Sequence, residues 1–395
     1  MKHRFGKWGI LVTSVSLLAL LLTLWVPVLA AKKENPLLPH AKPGGMKYRI
    51  GYCETEPFVN YSGTLYALIR GLEKYGWVKT LDGMPYTEGQ SETAAMWDYL
   101  ATHDVSPYIQ FVPDAHYSLS TLEPTAGDRI TNRLANQKDI DLMIVMGTKA
   151  GKTLATDKHK TPVMVFSTSN AVLAGIVKDI NVSGNDHIWA HTDPERYQRQ
   201  IIVFHDIFQF KRLGLVYENN EAGKIYAAVD DAKVVAREQG FKLVTEPVEP
   251  LASEADRERY YRDMLALHQT LANQVDAYYL TMSMIEPDHL PGLLQPFYDK
   301  KIPVFSQLGS EEVTAGALMS VARADFSDVG EFGAEGMIKM LNGVSAQKIP
   351  QLLQSTPNIA LSLEVAKKIG YQPSFEILLA ADEIYTKIDT AMSAN

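Results

Sequence analysis

Lys211 to Val244, KRLGLVYENNEAGKIYAAVDDAKVVAREQGFKLV, constrains the fold more than any other stretch of the chain. Arg212 to Tyr217 is a short apolar run of the kind that forms a buried strand. Glu218 to Gly223 is a polar turn carrying Asn219, Asn220 and Gly223. Ile225, Ala228, Val229, Ala232, Val235 and Ala236 then recur at helical spacing until Gly240 stops the helix. Phe241 to Val244 opens a second strand. In open parallel sheets the loop at the carboxyl end of such a strand is where ligands bind. This unit holds neither a nucleotide fingerprint nor a catalytic group, so it points to a protein that holds a small molecule without transforming it.

The same alternation runs through the rest of the chain. Strands are expected at Tyr48–Tyr52, Tyr108–Val112, Asp141–Met146 and Pro162–Phe166, with helices at Tyr61–Tyr75, Thr121–Ala135 and Lys149–Thr156. The run DLMIVM is apolar on both faces, as parallel-sheet interiors are. A polar stretch, Val177 to Thr192, separates this set from a second one. Asp193-Pro194 supplies a cap and an N1 proline for a helix to Phe210. After the central unit come a helix (Ser253–Ala272), a strand (Val275–Thr281), a helix (His289–Tyr298) and a strand (Pro303–Gln307). Gly316–Val321 with Asp325–Leu341, and Asn358–Leu361 with Glu364–Gly370, add two more strand–helix pairs before a short helix near Phe375–Ala380. This is the doubly wound α/β signature, repeated. It predicts two parallel-sheet lobes joined by a multi-strand hinge, with residues 46–183 plus 308–345 in one lobe and 184–307 plus 346–392 in the other.

The N-terminus reads as a targeting segment. Lys2, Arg4 and Lys7 precede an uncharged stretch from Gly9 to Leu29, and Val28-Leu29-Ala30 gives a small-residue cleavage site. Residues 1–30 therefore form a signal peptide or an N-terminal anchor, and either way the rest of the chain is expected outside the cytoplasm. Lys32 to Gly45, rich in Pro and Gly, reads as a tether within 31–45. Cys53 is the one cysteine, so no internal disulfide can form. Net charge is −8, and removing Lys2, Arg4 and Lys7 with the first thirty residues leaves −11. A surface that acidic argues against nucleic acid as a partner.

Several motifs fall short of chemistry. Met146-Gly147-Thr148-Lys149-Ala150-Gly151-Lys152-Thr153 resembles a phosphate loop but has three residues between its glycines instead of four. What remains is a Gly-Thr turn at a helix N-terminus, suited to an anion, or an ordinary strand–helix turn. His187 and His191 precede the helix at Asp193-Pro194, so they share no helix face and no metal site is expected. Gly330, Gly333 and Gly336 have no strand in front of them and read as close helix packing. No G-x-S-x-G elbow is present, and no cofactor is expected.

The loops that follow strands are more informative together. Glu54, Glu56, Phe58 and Tyr61 follow the first strand, Gly147 and Thr148 the third, and Ser167, Thr168 and Ser169 the fourth. Asn219, Asn220 and Glu221, then Thr281 and Ser283, then Gln307 and Ser310, follow strands of the second set. Aromatic faces with neutral polar groups are the wall chemistry of a small-molecule pocket.

Four stretches resemble the tryptophan/tyrosine-type ABC transporter substrate-binding proteins: 176–189, 211–244, 302–343 and 358–385. The resemblance implies a type I periplasmic-binding-protein fold, a monomer that closes on a small-molecule ligand, and delivery to ABC permease subunits in the membrane. Two departures stand out. Glu221-Ala222-Gly223-Lys224 replaces the family's Glu-Ala-Asn-Ser. Met282-Ser283-Met284 stands where the family often has an aspartate for an ammonium group, so an amino-acid ligand would need Glu54, Glu56 or Glu218 instead. An anchored sensor of the same fold and an exported α/β hydrolase are the alternatives.

Overall fold

The structure, a computed structural model, describes residues 36–251, 253–281, 285–322, 326–354 and 357–390. The expected targeting segment at 1–30 and the Met282-Ser283-Met284 departure lie outside the described residues. Among the described residues no helix is long and apolar enough to cross a membrane.

Two sheets carry the fold. The first contains β1 (Tyr48–Glu54), β2 (Ile109–Ser118), β3 (Leu142–Met146), β4 (Val163–Phe166) and β5 (Ile188–Ala190). Their order is β2-β1-β3-β4-β5, and every pairing is parallel. The second contains β6 (Arg212–Glu218), β7 (Lys242–Val248), β8 (Ala277–Leu280), β9 (Val304–Ser306), β10 (Met319–Ser320), β11 (Ala360–Ser362) and β12 (Glu383–Tyr385). Their order is β12-β11-β10-β9-β8-β6-β7, with β10–β11 the antiparallel pairing. Strands buried on both faces need helices on both sides, and β3 is buried along its whole length. Each fully buried aliphatic side chain of this kind contributes about 1.5–3 kcal/mol. Each sheet has its own apolar core: Cys53, Ile144's neighbours Met143 and Val145, and Val163 in one, and Leu213, Tyr278 and Phe305 in the other.

Sheet membership moves two expected lobe boundaries. Ile188–Ala190 pairs with β4 and belongs to the first sheet, so that lobe continues past residue 183. Its three apolar residues are hidden in a polar stretch, and Trp189 anchors them by donating from Nε1 to the Pro350 carbonyl at 2.8 Å. Met319–Ser320 pairs with β9, so the chain does not return to the first lobe at 308. It returns with the helix Ser327–Leu341, which packs on the helix Val59–Lys74. The 346–348 turn then lies against β5. The first and last crossings are bonded to each other: Thr192 N donates to Gln351 O at 2.8 Å and Leu353 N to Thr192 O at 3.2 Å.

Two local expectations also change. The helix of the central unit is broken into Glu221–Tyr226 and Val229–Gln239, because Ala228 takes a left-handed conformation (φ 51°). The expected tether is tied down from Pro39 onward. Lys42 Nζ pairs with Asp141 at 2.6 Å, and the His40 ring meets Trp77 edge-on at 5.6 Å.

The Val59–Lys74 and Ser327–Leu341 helices touch at backbone distance. A Cβ placed on Gly330 would lie 2.3 Å from the Ala67 carbonyl carbon. Gly330→Ala should therefore destabilise the ligand-free protein by about 1–3 kcal/mol through overpacking, read as a lower urea midpoint. An unchanged midpoint would show that the two helices can separate freely.

Candidate functional site

Both sheets are wound in the same sense. The order β2-β1-β3-β4-β5 is repeated as β7-β6-β8-β9-β10. Connections leave in opposite directions on either side of the β1/β3 and β6/β8 pairs, and the crevice that opens there at the strands' carboxyl ends is the usual ligand position. A cleft of about 260 Å³ lies at these ends. Thr55 and Glu56 after β1, Thr148 and Lys149 after β3, and Ser167 and Ser169 after β4 line one wall. Thr281 after β8, Gln307 after β9, Tyr226, and a face of the helix Arg196–Phe208 line the other.

The first wall is held by its own hydrogen bonds. Gly147 has φ 90°, and a Cβ there would lie 2.2 Å from Tyr61 Oη. Only glycine lets the β3 turn pass under that phenol. Thr55 Oγ1 accepts from Ala150 N at 3.1 Å, so one N–H of the Gly-Thr turn is already satisfied by the protein. Ser167 sits in the left-handed region (φ 52°) with its hydroxyl 3.1 Å from Thr64 Oγ1. Such strained non-glycine residues gather at ligand sites. Phe58 and Tyr61 meet edge to face at 5.2 Å.

Charge is distributed unevenly. Burial pushes the Glu56 carboxyl above the ordinary value, and Lys149 draws it back. Burial also raises Glu218, an Asn220 hydrogen bond opposes this, and Glu56 adds to it from the facing lobe. At the other end Arg199 Nη2 binds Asp193 through both carboxylate oxygens, at 2.7 and 2.6 Å. Asp193 thus pairs with a side chain one turn into the helix and does not cap its N-terminus, which begins at Arg196. Arg196 Nη2 reaches the Thr168 carbonyl at 2.9 Å, the Ser169 carbonyl at 3.4 Å and Tyr197 Oη at 2.6 Å.

Of the side chains expected from sequence, Glu56, Phe58, Tyr61, Thr148, Ser167, Ser169, Thr281 and Gln307 come together in this cleft. The others do not line it. Glu54 is 1% exposed and accepts from Tyr52 Oη at 2.7 Å and Thr93 Oγ1 at 2.9 Å. Gly147 shapes the wall from beneath. Thr168 is buried and offers only its carbonyl. Asn219 bonds Glu249, Asn220 caps the helix Glu221–Tyr226, and Glu221 pairs with Lys224 on the surface. Ser310 lies in a separate, smaller crevice with Glu88, Glu311 and Glu312. Ser283 lies outside the described residues.

The arrangement offers little for bond-breaking. Thr93 Oγ1 is 2.9 Å from His116 Nε2 and bonds Glu54, yet Thr93 is fully buried and lines no part of the cleft. His187 and His191 flank β5 and bond the carbonyls of Thr156 and Leu353. Sequence reasoning missed Lys149, Asp193, Arg196, Arg199 and Tyr226. The signal for the arginines was their i, i+3 spacing directly after a chain crossing, where a polar helix face can turn toward the cleft.

A family model described as ABC transporter substrate binding protein matches residues 115–385. No curated protein matches the chain significantly. Among solved structures, a conserved domain protein from Vibrio cholerae aligns with a TM-score of 0.62 at 17% identity, over 86% of this chain and 99% of that one. An ABC domain in complex with L-Trp from Streptococcus pneumonia aligns with 0.61 at 17% identity, over 86% and 99%. A ligand-free, open substrate binding protein with adhesive properties from Clostridium difficile aligns with 0.61 at 19% identity, over 87% and 100%. The shared architecture is the type I periplasmic-binding-protein fold.

Two outcomes test this geometry. Tyr61 is 7% exposed and Phe58 is more open. Tyr61→Ala should cost about 3–5 kcal/mol in the empty protein and Phe58→Ala under about 1 kcal/mol, measured by urea unfolding. Equal large losses would place both rings in the core, and equal small losses would place neither there. Burial pushes the Glu54 carboxyl from 4.5 up to about 7, against the hydrogen bonds from Tyr52 and Thr93 that hold it down. The folded state therefore keeps a proton that the unfolded chain releases, and stability falls as pH rises from about 4.5 to about 7. Glu54→Gln should flatten that slope by up to about 3 kcal/mol across the window. Identical slopes in both proteins would mean Glu54 ionises normally.

Proposed function

We propose that this chain, which belongs to the ABC transporter substrate binding protein family, captures a small solute between its two lobes and delivers it to an ABC importer outside the cytoplasm. The observation that carries the reading is the cleft itself: side chains following β1, β3 and β4 face side chains following β8 and β9 across about 260 Å³. A solute held by both walls stabilises the closed arrangement, because only that arrangement makes both sets of contacts. The bonded chain segments at Thr192 and Gln351 provide a hinge beside the cleft.

An amino acid or a related compound suits the walls. Phe58, Tyr226 and Phe326 offer aromatic surface, and Glu56 with Glu218 facing it supplies carboxylate for an ammonium group. No bond is made or broken in this cycle. The hydroxyls of Ser167 and Ser169 have no hydrogen-bonded imidazole or carboxylate among the described residues. The partners are the solute and the permease subunits, and the protein acts as a monomer.

The test is a thermal-shift screen of the ligand-depleted full chain against amino acids, peptides, nucleosides, sugars and organic acids, followed by mass spectrometry of the recovered compound. A true ligand at a hundred times its Kd should stabilise the protein by about 2.7 kcal/mol and come back unchanged. No stabilisation by any class, or recovery of a converted product, would defeat the reading.

A further inference from the structure

Among the described charged side chains of the cleft, one cation hydrogen-bonds only to neutral groups. The cleft's described lining carries Glu56, Lys149, Asp193, Arg196 and Arg199. Asp193 is engaged by Arg199, and Lys149 acts on Glu56 electrostatically without an ion pair. Arg196 is left over. Its Nη2 donates only to neutral acceptors, two carbonyls and the Tyr197 phenol, and its guanidinium lies 4.5 Å over the Tyr197 ring. Its Nε is buried with no acceptor, and so is Arg199 Nη1 one turn along the same helix. Asp231, the nearby carboxylate that Arg196 acts on, is held by Gln198 Nε2 at 2.8 Å and forms no ion pair with Arg196. A half-buried guanidinium with unspent donors is costly until an anion meets it.

We infer that the solute carries a carboxylate, or a sulfonate or phosphonate in its place, that seats on Arg196. The inference rests on the solute-binding reading and narrows it. Arg196 belongs to the helix of the second lobe, yet its Nη2 is anchored on the Thr168 and Ser169 carbonyls of the first. An oxyanion docked there is held beside the first crossing, where it draws on both lobes at once. Nη2 is committed to the first lobe and Tyr197, so the acid group would meet Nη1, and the guanidinium keeps its charge at every working pH. Phe58, Tyr226, Phe326 and Val329 supply the remaining wall for an apolar body. Arg196 is thus the specificity-determining residue, and solutes of the same shape without an acid group are rejected because they leave it unpaired.

Calorimetric titration of the ligand-depleted full chain with matched acids and primary amides tests this: indole-3-acetate against indole-3-acetamide, 3-phenylpropanoate against 3-phenylpropanamide, and hexanoate against hexanamide. In at least one pair the acid should bind about tenfold or more tighter than its amide. Arg196→Gln should remove that preference, lowering acid affinity about tenfold and leaving the amide nearly unchanged, while Arg196→Lys keeps part of it. Unfolding midpoints of the empty variants show whether each is folded, and if Arg196→Gln is not, the acid–amide comparison in the wild type decides. Equal binding of acid and amide overturns the inference, as does undiminished acid binding by a folded Arg196→Gln. If the broader screen finds a ligand that has no acid group while every compound carrying one fails, the inference falls and the solute-binding reading stands. If nothing in either experiment binds, the solute-binding reading fails and takes the inference with it.

Discussion

Parallel strand pairing is the constraint on which the rest of this structure depends. A parallel neighbour can be reached only by a crossover, so every strand of a set ends at the same edge of its sheet. All the turns that carry side chains into the cleft therefore issue from two such edges. In each sheet the winding reverses between the first and third strands of the set, β1/β3 and β6/β8, and a crevice opens where the turns part. No catalytic residue need be invoked to explain why the cleft is there. The apolar runs that force β3 and β8 into the sheet interiors also deliver Thr148 and Thr281 to its rim.

The cleft then divides electrically. Near β1 and β6, Glu56 faces Glu218 and makes it harder to ionise. A cation or a proton between them would relieve that repulsion. Near the crossing, Arg199 is neutralised by Asp193 and Arg196 is not. The two ends ask for different partners, and a solute meeting both would be fixed in orientation as well as in place. The aromatic rings between them are indifferent to orientation and contribute area.

The parts legible in the sequence were those with a local signal. The central strand–loop–helix–strand unit, DLMIVM and the close-packing glycines each report their environment through neighbouring residues. Gly330 against Ala67 shows the last of these directly. What the sequence concealed depends on distant segments. β5 is three residues long, and only its pairing with β4 reveals it. The helix Ala94–Thr102 has no long apolar stripe, and its place is set by packing on β2. Arg196 reads as a solvated helix residue until Thr168, from the other lobe, arrives beside it. Asn219, Asn220 and Glu221 were drawn toward the site by their position after a strand, but caps and surface pairs use them first. A loop's position after a strand is visible in sequence, but the partner that claims each polar side chain is not.

Capture of a solute by both walls requires the lobes to move together around it. Cys53 is the one cysteine and is buried, so spin labels can be placed at Asp128→Cys in the first lobe and Glu238→Cys in the second, both exposed positions. Electron–electron resonance then measures the separation between lobes with and without a saturating solute. Closure predicts that the distance distribution shifts to a single shorter and narrower peak when solute is added. An unchanged distribution, with calorimetry showing the solute bound, would contradict it.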